Sequence, residues 1–529
     1  MDKKKSKKIR NARIIATNIF MTISVIAIVF VLTLIAMGFT FNESGNLEQS
    51  GGLVQISSHP SGATVEIDKV TQFSHTEINK MLKAGAHEIK ISKPGYDTWE
   101  TNLEIDAGLL NRIEWVRLFP LTPKIETAAT YKKPALVSSS PDHKYLAIIA
   151  TDATTLNIFD LQSGNDERTV KLDLAKILSI TPAEGSTEVK IPTDKLVFHD
   201  WSGNDSKLIL EQKTDTTPKW YIVDLSDENK AIDLTKNFGI NFDRVLAAND
   251  SATRLWATSE GNLYSIDTTN KTISNIIASN IISIANNSGT VAFISKTTET
   301  ITTEGEETAE TKDSYLLKTY RDGEKAAAKV TDLTELYSAE NHSSNIVMGT
   351  YWGDEWIGYY VGKKAVVLSG RYPSGDKKES KPMKALYDID LEYYPEAIAR
   401  NDGQRIIVFR AGQQNTSFDV ENKKTHNITS DTTVSSINWL DNFILVENTH
   451  KQVIVRDFTG ENRRELITNL DNDYPVVVSG NNRYLYYFSI IEDQKTIPST
   501  TDNNETQTEV VPENAKEPSY ELKREELNI

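Results

Sequence analysis

One short pattern recurs eight times along this chain, and it constrains the fold more than any other feature. A polar turn containing Asp or Asn is followed each time by a strongly apolar strand. Asx side chains suit such turns because they hydrogen-bond to the local backbone. Regular repetition of one supersecondary unit predicts a repeat architecture rather than a single packed core. The copies are residues 140–148, 203–210, 248–256, 286–293, 352–359, 400–408, 439–446 and 480–488.

Each copy is followed by a second strand that ends in a polar turn, and usually by a further short strand. Units of this size predict four-stranded sheets arranged as the blades of a β-propeller, in a chain that is mainly β. We expect eight blades; seven is the alternative, if the weak fifth repeat is misread. The strands that follow the apolar strands lie at 156–164, 220–228, 263–271, 315–323, 365–373, 416–424, 453–461 and 519–527.

The eighth repeat has no outermost strand of its own. Residues 123–131 precede the first repeat and carry none of its marks. We predict that they pair with 519–527 and close the ring, since closure removes two exposed sheet edges.

The turn SPDHKYLAI at 140–148, echoed by NDGQRIIVF at 401–409, resembles the Asp-turn repeats of TolB-type and prolyl-peptidase-type propellers. The resemblance spans roughly residues 135–529 and implies the fold more than a function, because propellers host unrelated activities. The repeated aspartates are expected to form turns rather than a catalytic group. They are Asp142, Asp205, Asp250 and Asp402.

An apolar segment near the N-terminus predicts a membrane anchor. Ile19–Phe39 has no charged residue, within a predicted transmembrane helix at 14–41. At about 1.5 Å per residue it crosses the roughly 30 Å hydrocarbon layer. A cleaved signal peptide, with Ala36-Met37-Gly38 as the cleavage site, is a second interpretation. A buried core helix is a third, disfavoured because the segment is apolar on every face.

Charge flanking this segment predicts its orientation. The tail 1–13 contributes +6 to a total of −16, so the rest of the chain carries −22. The positive-inside rule then places the N-terminus in the cytoplasm and everything after the linker 42–50 outside. An acidic body also argues against nucleic acid as a partner.

Residues 51–120 predict a small β module. Val54 and Ile56 alternate on one strand, and Trp99, Leu103 and Ile105 share one face of a later strand. Lys93-Pro94-Gly95 suits a type II turn.

The runs VQISSHPSGATVEID and LKAGAHEIKISKPGYDTWETNLEI resemble a PEGA domain. The Pro-Glu-Gly-Ala turn of that family appears here as Pro60-Ser61-Gly62-Ala63, and the GxHxIxIxKxGY cadence appears at 85–96. Ser61 replaces the acidic residue, and Lys69 stands where the family usually has Gly. The resemblance implies a β-sandwich-like module of prokaryotic surface proteins, without catalytic residues.

The large domain, 121–529, contains two Thr/Glu-rich insertions, at 297–313 and 494–518. Both fall between the second and third strands of their repeats. Their composition predicts flexible loops.

Familiar catalytic signatures are missing from the sequence. It has no G-x-S-x-G, H-E-x-x-H or G-x-x-x-x-G-K-[ST], and no cysteine. Its eight His residues are never paired at metal-ligand spacing. Asp388 with Asp390, and Asp471-Asn472-Asp473, lack the Gly and distal Glu of a calcium loop. We therefore expect no catalytic residue, no metal, no cofactor and no enzymatic activity.

One aromatic group is a candidate binding surface: Tyr351, Trp352, Trp356 and Tyr359, with Tyr360 and Tyr393-Tyr394 nearby. Exposed aromatics stack on sugar rings or anchor a protein partner. The alternative is packing between neighbouring blades, which also needs large aromatics.

Together these features predict a membrane-anchored, extracytoplasmic binding or scaffolding protein of a prokaryotic cell envelope. Its partner would be another envelope protein or a surface glycan; the sequence does not specify an oligomeric state. The alternative is a propeller enzyme, a glycan lyase or hydrolase, acting at the central channel. A carboxylate–Tyr/His cluster at the channel mouth would favour that alternative.

Overall fold

The structure is a computed structural model. It describes residues 2–36, 39–41, 47–49, 51–151, 153–163, 169–181, 189–204, 206–301, 310–338, 343–375, 381–401, 403–430, 436–448, 452–468, 474–491 and 519–527. The chain divides into two compact units, Met1–Thr122 with the last two residues, and Pro123–Leu527.

The N-terminal helix, α1, covers Asp2–Ala36. Its segment Ile15–Leu34 has a mean hydropathy of 2.5 and no buried side chain, so it is long and apolar enough to cross a membrane. The helix ends before the predicted limit at residue 41. Phe39–Phe41 (β1) instead pairs antiparallel with Leu47–Gln49 (β2), within the predicted linker. Aromatic residues flanking Thr40 favour the extended backbone.

Residues 51–117 fold into two small sheets. The orders are β6-β3-β9, in which β3 and β9 run parallel, and β5-β4-β7-β8. The strands are β3 (Gly51–His59), β4 (Thr64–Ile67), β5 (Val70–His75), β6 (Ile78–Lys83), β7 (Gly85–Ser92), β8 (Thr98–Ile105) and β9 (Leu110–Arg117).

The alternation predicted for this module is confirmed. Val54, Ile56, Trp99 and Ile105 are buried, although Leu103 is only half-buried. The Lys93-Pro94-Gly95 turn also forms, with Gly95 at φ 83° and the Tyr96 N–H donating to the Lys93 carbonyl at 3.0 Å.

One histidine of the module ties its turn to its sheet. His87 Nδ1 lies 2.6 Å from Asp68 Oδ2 in the β4–β5 turn, and its Nε2 lies 2.9 Å from the Lys83 carbonyl. The hydrogen bond to His87 lowers the pKa of Asp68. Lys69, the predicted departure from Gly, adopts φ 65° in this turn, a conformation that favours glycine.

The second unit is a succession of four-stranded antiparallel sheets. In the described residues, seven of them use consecutive strands. They are sheet I, β11 (Pro134–Ser139), β12 (Tyr145–Ala150), β13 (Thr155–Asp160), β14 (Val170–Asp173); sheet II, β15 (Leu196–Trp201), β16 (Lys207–Gln212), β17 (Lys219–Asp224), β18 (Ile232–Asp233); sheet III, β19 (Arg244–Ala247), β20 (Arg254–Ser259), β21 (Asn262–Asp267), β22 (Thr272–Ile273); sheet IV, β23 (Ile281–Asn287), β24 (Thr290–Ile301), β25 (Glu310–Arg321), β26 (Ala328–Asp332); sheet V, β27 (Ser344–Tyr351), β28 (Asp354–Val361), β29 (Lys364–Gly370), β30 (Lys384–Asp390); sheet VI, β31 (Ala397–Arg400), β32 (Ile406–Ala411), β33 (Gln414–Asp419), β34 (Lys424–Thr429); and sheet VII, β35 (Ser436–Trp439), β36 (Ile444–Asn448), β37 (Gln452–Asp457), β38 (Arg464–Thr468).

The predicted repeat register is confirmed in every sheet. The apolar strand after each polar turn is the second strand of its sheet, and the strand that follows is the third. Three short helices follow fourth strands: α2 (Leu174–Ile177), α3 (Leu234–Phe238) and α4 (Thr334–Tyr337).

The last sheet, VIII, takes one strand from the start of the unit. Its order is β10 (Lys124–Lys132), β41 (Ser519–Glu526), β40 (Tyr484–Ile490) and β39 (Val477–Val478). The predicted pairing of 123–131 with the C-terminal strand is confirmed, with one irregularity between Thr127 and Ala129. Side chains of sheets VIII and I share one apolar core, which contains Leu146, Phe159 and Leu522.

The insertion at 297–313 was predicted to be a flexible loop, but its described residues form strands. Residues 297–301 pair with 310–314, which lengthens the hairpin of β24 and β25. Thr298 donates to Asp313 at 2.6 Å, and Lys296 pairs with the same carboxylate at 2.7 Å. Successive Thr residues favour the extended backbone, and this explains the ladder. The second insertion, 494–518, lies outside the described residues.

Ring closure can be tested directly because the chain contains no cysteine. Thr130 and Glu521 are directly opposite in the β10–β41 ladder. Thr130→Cys with Glu521→Cys should react with a short bifunctional maleimide to give an intramolecular crosslink, since opposite Cβ atoms lie about 5 Å apart. The melting temperature should rise, because the crosslink closes a very long loop. Thr130→Cys with Lys424→Cys is the control, and equal crosslinking of both pairs would contradict the closure.

Stability should also depend on pH through a buried carboxyl in the closing strand. Burial raises the pKa of Glu525 to about 7, although the charge of Arg464 lowers it. Between the unfolded value near 4.5 and about 7, the folded state keeps a proton that the unfolded state has lost. The free energy of unfolding should therefore fall as pH rises through this window, by on the order of 3 kcal/mol at most.

Glu525→Gln should abolish that fall and raise the melting temperature at pH 8. Glu526→Gln, next to it in β41, is the matched control and should keep the wild-type pH profile. Parallel profiles for the wild type and Glu525→Gln would show that this carboxyl is not the source.

Candidate binding face

Three of the turns between first and second strands, those of sheets I, III and VI, share one local chemistry. A side-chain oxygen at the start of the turn accepts the N–H groups four and five residues later. Asn401 Oδ1 accepts from Arg405 and Ile406 at 2.9 and 2.8 Å. Ser140 Oγ and Asn249 Oδ1 accept in the same way. We call the eight turns between first and second strands the turn rim; their described residues are 140–144, 202–204, 206, 248–253, 288–289, 352–353, 401, 403–405, 440–443 and 479–483.

Of the aspartates predicted to be turn residues, Asp142 bonds to its own turn through its side chain, whereas Asp250 contributes its backbone carbonyl to a neighbouring turn. Asp142 Oδ1 accepts the Lys144 N–H at 2.9 Å, and the Asp250 carbonyl accepts the Asn204 N–H at 2.9 Å. Asp205 and Asp402 lie outside the described residues.

Turns of neighbouring sheets are also linked to one another. Among the described residues, hydrogen bonds join six successive pairs of sheets at or beside the turn rim, so its backbone is fixed by more than each turn alone. The bonds run from Asn204 N to Asp250 O (II–III), Asn286 Nδ2 to Ala247 O (III–IV), Asn287 Nδ2 to Thr350 Oγ1 (IV–V), Thr350 N to Gln404 Oε1 (V–VI), Gly403 N to Asn442 Oδ1 (VI–VII) and Gly480 N to His143 O (VIII–I).

The aromatic group predicted as a surface is divided by the fold. Trp356, Tyr359 and Tyr360 are buried, and Trp356 is 0 % exposed. Its Nε1–H donates to the Gln404 carbonyl at 2.9 Å, so it joins sheet V to sheet VI. Trp356 and Tyr359 therefore act in packing between sheets, and the four residues do not form one continuous surface.

Gly349 shows how tightly Trp356 is enclosed. A Cβ atom at residue 349 would lie 2.2 Å from Cζ2 of the indole ring. Only glycine fits there, and nothing in the sequence around Gly349 indicates this requirement.

Tyr351 belongs to a buried ionic network. Its hydroxyl donates to Glu421 Oε2 at 2.8 Å, and burial raises its pKa to about 12. Glu421 pairs with Arg405 at 2.7 Å, and Arg405 binds Asp419 with two hydrogen bonds of 2.9 and 2.8 Å. Burial alone would lower the pKa of Arg405, but the two carboxylates more than offset it and raise the pKa. The sequence did not predict this network.

Trp352 is the exposed member of the group. It lies in the turn rim of sheet V with 72 % of its surface exposed and with φ 50°. A large side chain in the left-handed region is uncommon, because the backbone there is strained without glycine. A rigid rim thus presents one large aromatic side chain to solvent.

Charged groups meet along the first strands of three sheets. Asp200 (β15) accepts N–H groups from Trp201 at 2.9 Å and Ala247 at 3.3 Å. Burial raises its pKa, whereas the charge of Arg400 (β31) lowers it. Burial lowers the pKa of Arg244 (β19), and Asp200 opposes this shift. First strands that surround a common axis explain why sheets II, III and VI interact here.

Arg400 and Arg244 act on Asp200 through their charge, and His199 also lowers the pKa of Asp200. His199, next to Asp200 in sequence, bonds to Glu211, and its ring packs at a tilt against Trp220 with ring centroids 4.6 Å apart. The arrangement can orient an anion or a zwitterion, but arginine at its ordinary charge is a poor general acid or base.

Within the described residues, no group of three or more His, Cys, Asp or Glu side chains is placed to hold a metal ion. Asp388 and Asp390 both face Lys364 instead. Asp471-Asn472-Asp473 lie outside the described residues.

Comparison with known families agrees with the geometry of the small module. The family profile of the PEGA domain matches residues 51–114. Residues 51–114 are a PEGA domain. The match covers this module alone. Comparison with the sequences of characterised proteins gives no match.

Solved structures similar to the chain have low sequence identity. Dipeptidyl peptidase 4 of Porphyromonas gingivalis is 11% identical, with a TM-score of 0.44, over 68% of this chain and 57% of that chain. Apo AztD from Citrobacter koseri is 11% identical, with a TM-score of 0.38, over 78% of this chain and 96% of that chain. The β-propeller domain of Cps50 (Swd1) from Myceliophteria thermophila is 11% identical, with a TM-score of 0.37, over 61% and 96%.

This chain therefore spans 57% of the length of the peptidase. With TM-scores this low, the similarities carry no argument about function. The assignment of the fold rests on the sheets and their linked turns.

The two tryptophans of sheet V should respond oppositely to substitution. Trp356→Ala should lower the free energy of unfolding by about 3–5 kcal/mol, because it leaves a large cavity and an unpaired Gln404 carbonyl. Trp352→Gly should leave stability unchanged or raise it by up to about 1 kcal/mol, since glycine relieves the positive φ. Thermal unfolding of both variants measures the difference. A large loss of stability in Trp352→Gly would contradict its exposed position.

Proposed function

We propose that this protein is a single-pass, membrane-anchored binding or scaffolding protein of a prokaryotic cell envelope. Its N-terminal tail lies in the cytoplasm, and its PEGA domain and an eight-bladed propeller lie outside. The partner is another envelope protein or a surface glycan. A tether raises the effective concentration of such a platform for neighbouring partners, so high intrinsic affinity is not required.

The observation that carries this proposal is Trp352 on the turn rim. Its ring is 72 % exposed and offers a partner a large apolar contact area with a polar N–H. The neighbouring backbone is fixed through Thr350 and Gln404, so little order is lost when a partner covers the ring. Tryptophan is also among the residues that contribute most to binding energy at interfaces.

Orientation and partner capture can be tested in one experiment. Trp352→Cys introduces the only thiol in the chain. A membrane-impermeant maleimide with a photoreactive arm should label it on intact cells, or after permeabilisation of an outer membrane where one exists. Illumination should then give a discrete adduct, to be identified by mass spectrometry.

Phe73→Cys is the matched control, because Phe73 is a fully exposed aromatic residue of the PEGA domain. It should be labelled equally and give no such adduct. Labelling only after lysis would reverse the proposed orientation. Identical adducts from both positions, or none from residue 352, would exclude the turn rim as the binding face.

A further inference from the structure

Four sheets end their fourth strand with the same dipeptide, Asp-Leu. The leucine is buried each time, and in sheets I, IV and V its N–H donates to a carbonyl at or just before the third strand. The leucines are Leu174, Leu234, Leu333 and Leu391, exposed by 0%, 0%, 1% and 4%.

In sheets I, II and IV a short helix follows this dipeptide. Asp173 and Asp233 cap α2 and α3 with their side chains, and Asp332 accepts the Thr334 N–H at the start of α4. Apolar residues of these helices pack against the next sheet, as Ile177 and Tyr337 do.

Sheet V lacks the helix. Its sequence continues from Leu391 as Glu-Tyr-Tyr-Pro, and no helical turn forms between residues 391 and 396. Pro395 has no N–H to bond to the Leu391 carbonyl, and it disfavours the helical conformation at Tyr394.

A cavity of about 220 Å³ opens beside this segment. It lies between Ile389–Tyr393 and strands β33 and β34 of sheet VI. This is room for roughly seven water molecules at their liquid volume. It is smaller than the roughly 300–1,000 Å³ of pockets for drug-sized ligands, so one small ring fits.

Hydroxyl and amide groups dominate the polar part of the wall. Thr416 donates to Asn427 Oδ1 at 3.2 Å, and the Tyr393 hydroxyl lies 3.0 Å from Thr416 Oγ1 while donating to the Phe409 carbonyl. The hydrogen bond from Thr416 fixes the orientation of the Asn427 amide, with its oxygen towards Thr416. Within the described residues, Asn427 Nδ2 and the Gln414 amide have no protein hydrogen-bond partner, so both remain available to a ligand.

The rest of the wall selects against an anion. The lining contains no Lys, Arg or His, whereas Asp390 and Glu392 lie at it. Leu391 and Ile428 add apolar surface. A small ligand that is not an anion, with several hydroxyl groups and one apolar face, matches this lining, and a pyranose ring has these properties.

We propose that this cavity between sheets V and VI binds one neutral pyranose unit of a glycan. Asn427 and Gln414 would bind its hydroxyl groups, and Leu391 and Ile428 would contact its C–H face. Asn427 and Thr429 are exposed, so the remainder of a glycan chain can continue into solvent. The inference rests on the proposed binding role and specifies one ligand for it. The site is separate from Trp352, on a different segment of the repeat.

The test uses the full chain in lipid nanodiscs, because glycoside detergents carry the ring being probed. Methyl glycosides of glucose, galactose and N-acetylglucosamine are titrated by saturation-transfer NMR, with acetate and glycine as charged comparison ligands. We expect at least one glycoside to bind saturably at millimolar or lower concentration, and neither comparison ligand to bind.

Asn427→Ala with Gln414→Ala should weaken that binding at least tenfold while the protein stays folded at the assay temperature, since both positions are exposed and only the Thr416–Asn427 hydrogen bond is lost. Lys424→Ala, exposed on the same strand and outside the cavity, is the matched control and should bind as the wild type does. The proposal is overturned if no glycoside saturates, if acetate or glycine is preferred, or if the double variant binds undiminished.

The double variant also separates this proposal from the function proposed above. Combined with Trp352→Cys, it should still give the adduct with a protein partner if only the sugar site is wrong. If the Trp352→Cys single variant neither binds a glycoside nor gives the adduct, both proposals are overturned.

Discussion

The ladder between Lys124–Lys132 and Ser519–Glu526 is the interaction on which the large unit depends. It joins segments almost 400 residues apart in sequence, so its formation carries the highest loop-closure cost of any strand pair described here. Without it, sheet VIII would end in an open edge and the core that it shares with sheet I would be exposed. Glu525 lies within this ladder, which couples the stability of closure to the protonation of one buried carboxyl.

Once the ring is closed, the turn rim fixes neighbouring sheets relative to each other. In several turns an Asx or Ser side chain bonds the local backbone, and groups of one turn also bond to the next, as the Gly403 N–H does to Asn442 Oδ1. Repetition of Asp and Asn in the sequence is therefore explained by architecture. Function must be sought in what departs from the repeat, because residues shared by every sheet serve the fold.

Departures from the repeat concentrate in sheets V and VI. They carry the exposed Trp352, the buried network of Arg405, Asp419 and Glu421, and the cavity left where a helix is missing. The buried network adds little net stability, since desolvation of an ion pair offsets most of its attraction. It holds sheet V against sheet VI through Tyr351, and so supports both the rim and the cavity. The cluster of Asp200, Arg244 and Arg400 is a further departure, and it lies along the first strands.

The sequence by itself determined the repeat register, the closing strand, the PEGA domain and an apolar helix long enough to span a membrane. Each of these is indicated by a local pattern: an alternation of apolar residues, a short turn motif or an uncharged run. Only the tertiary structure determined which aromatic residues are exposed, because Trp352 and Trp356 are four residues apart yet one lies exposed in a turn and the other is buried in strand β28. The need for Gly349, the partners of Arg405 and the cavity beside Leu391 were likewise invisible, since each arises where separate sheets meet. Neighbours across such an interface are tens of residues apart in the chain, and no local pattern encodes their contact.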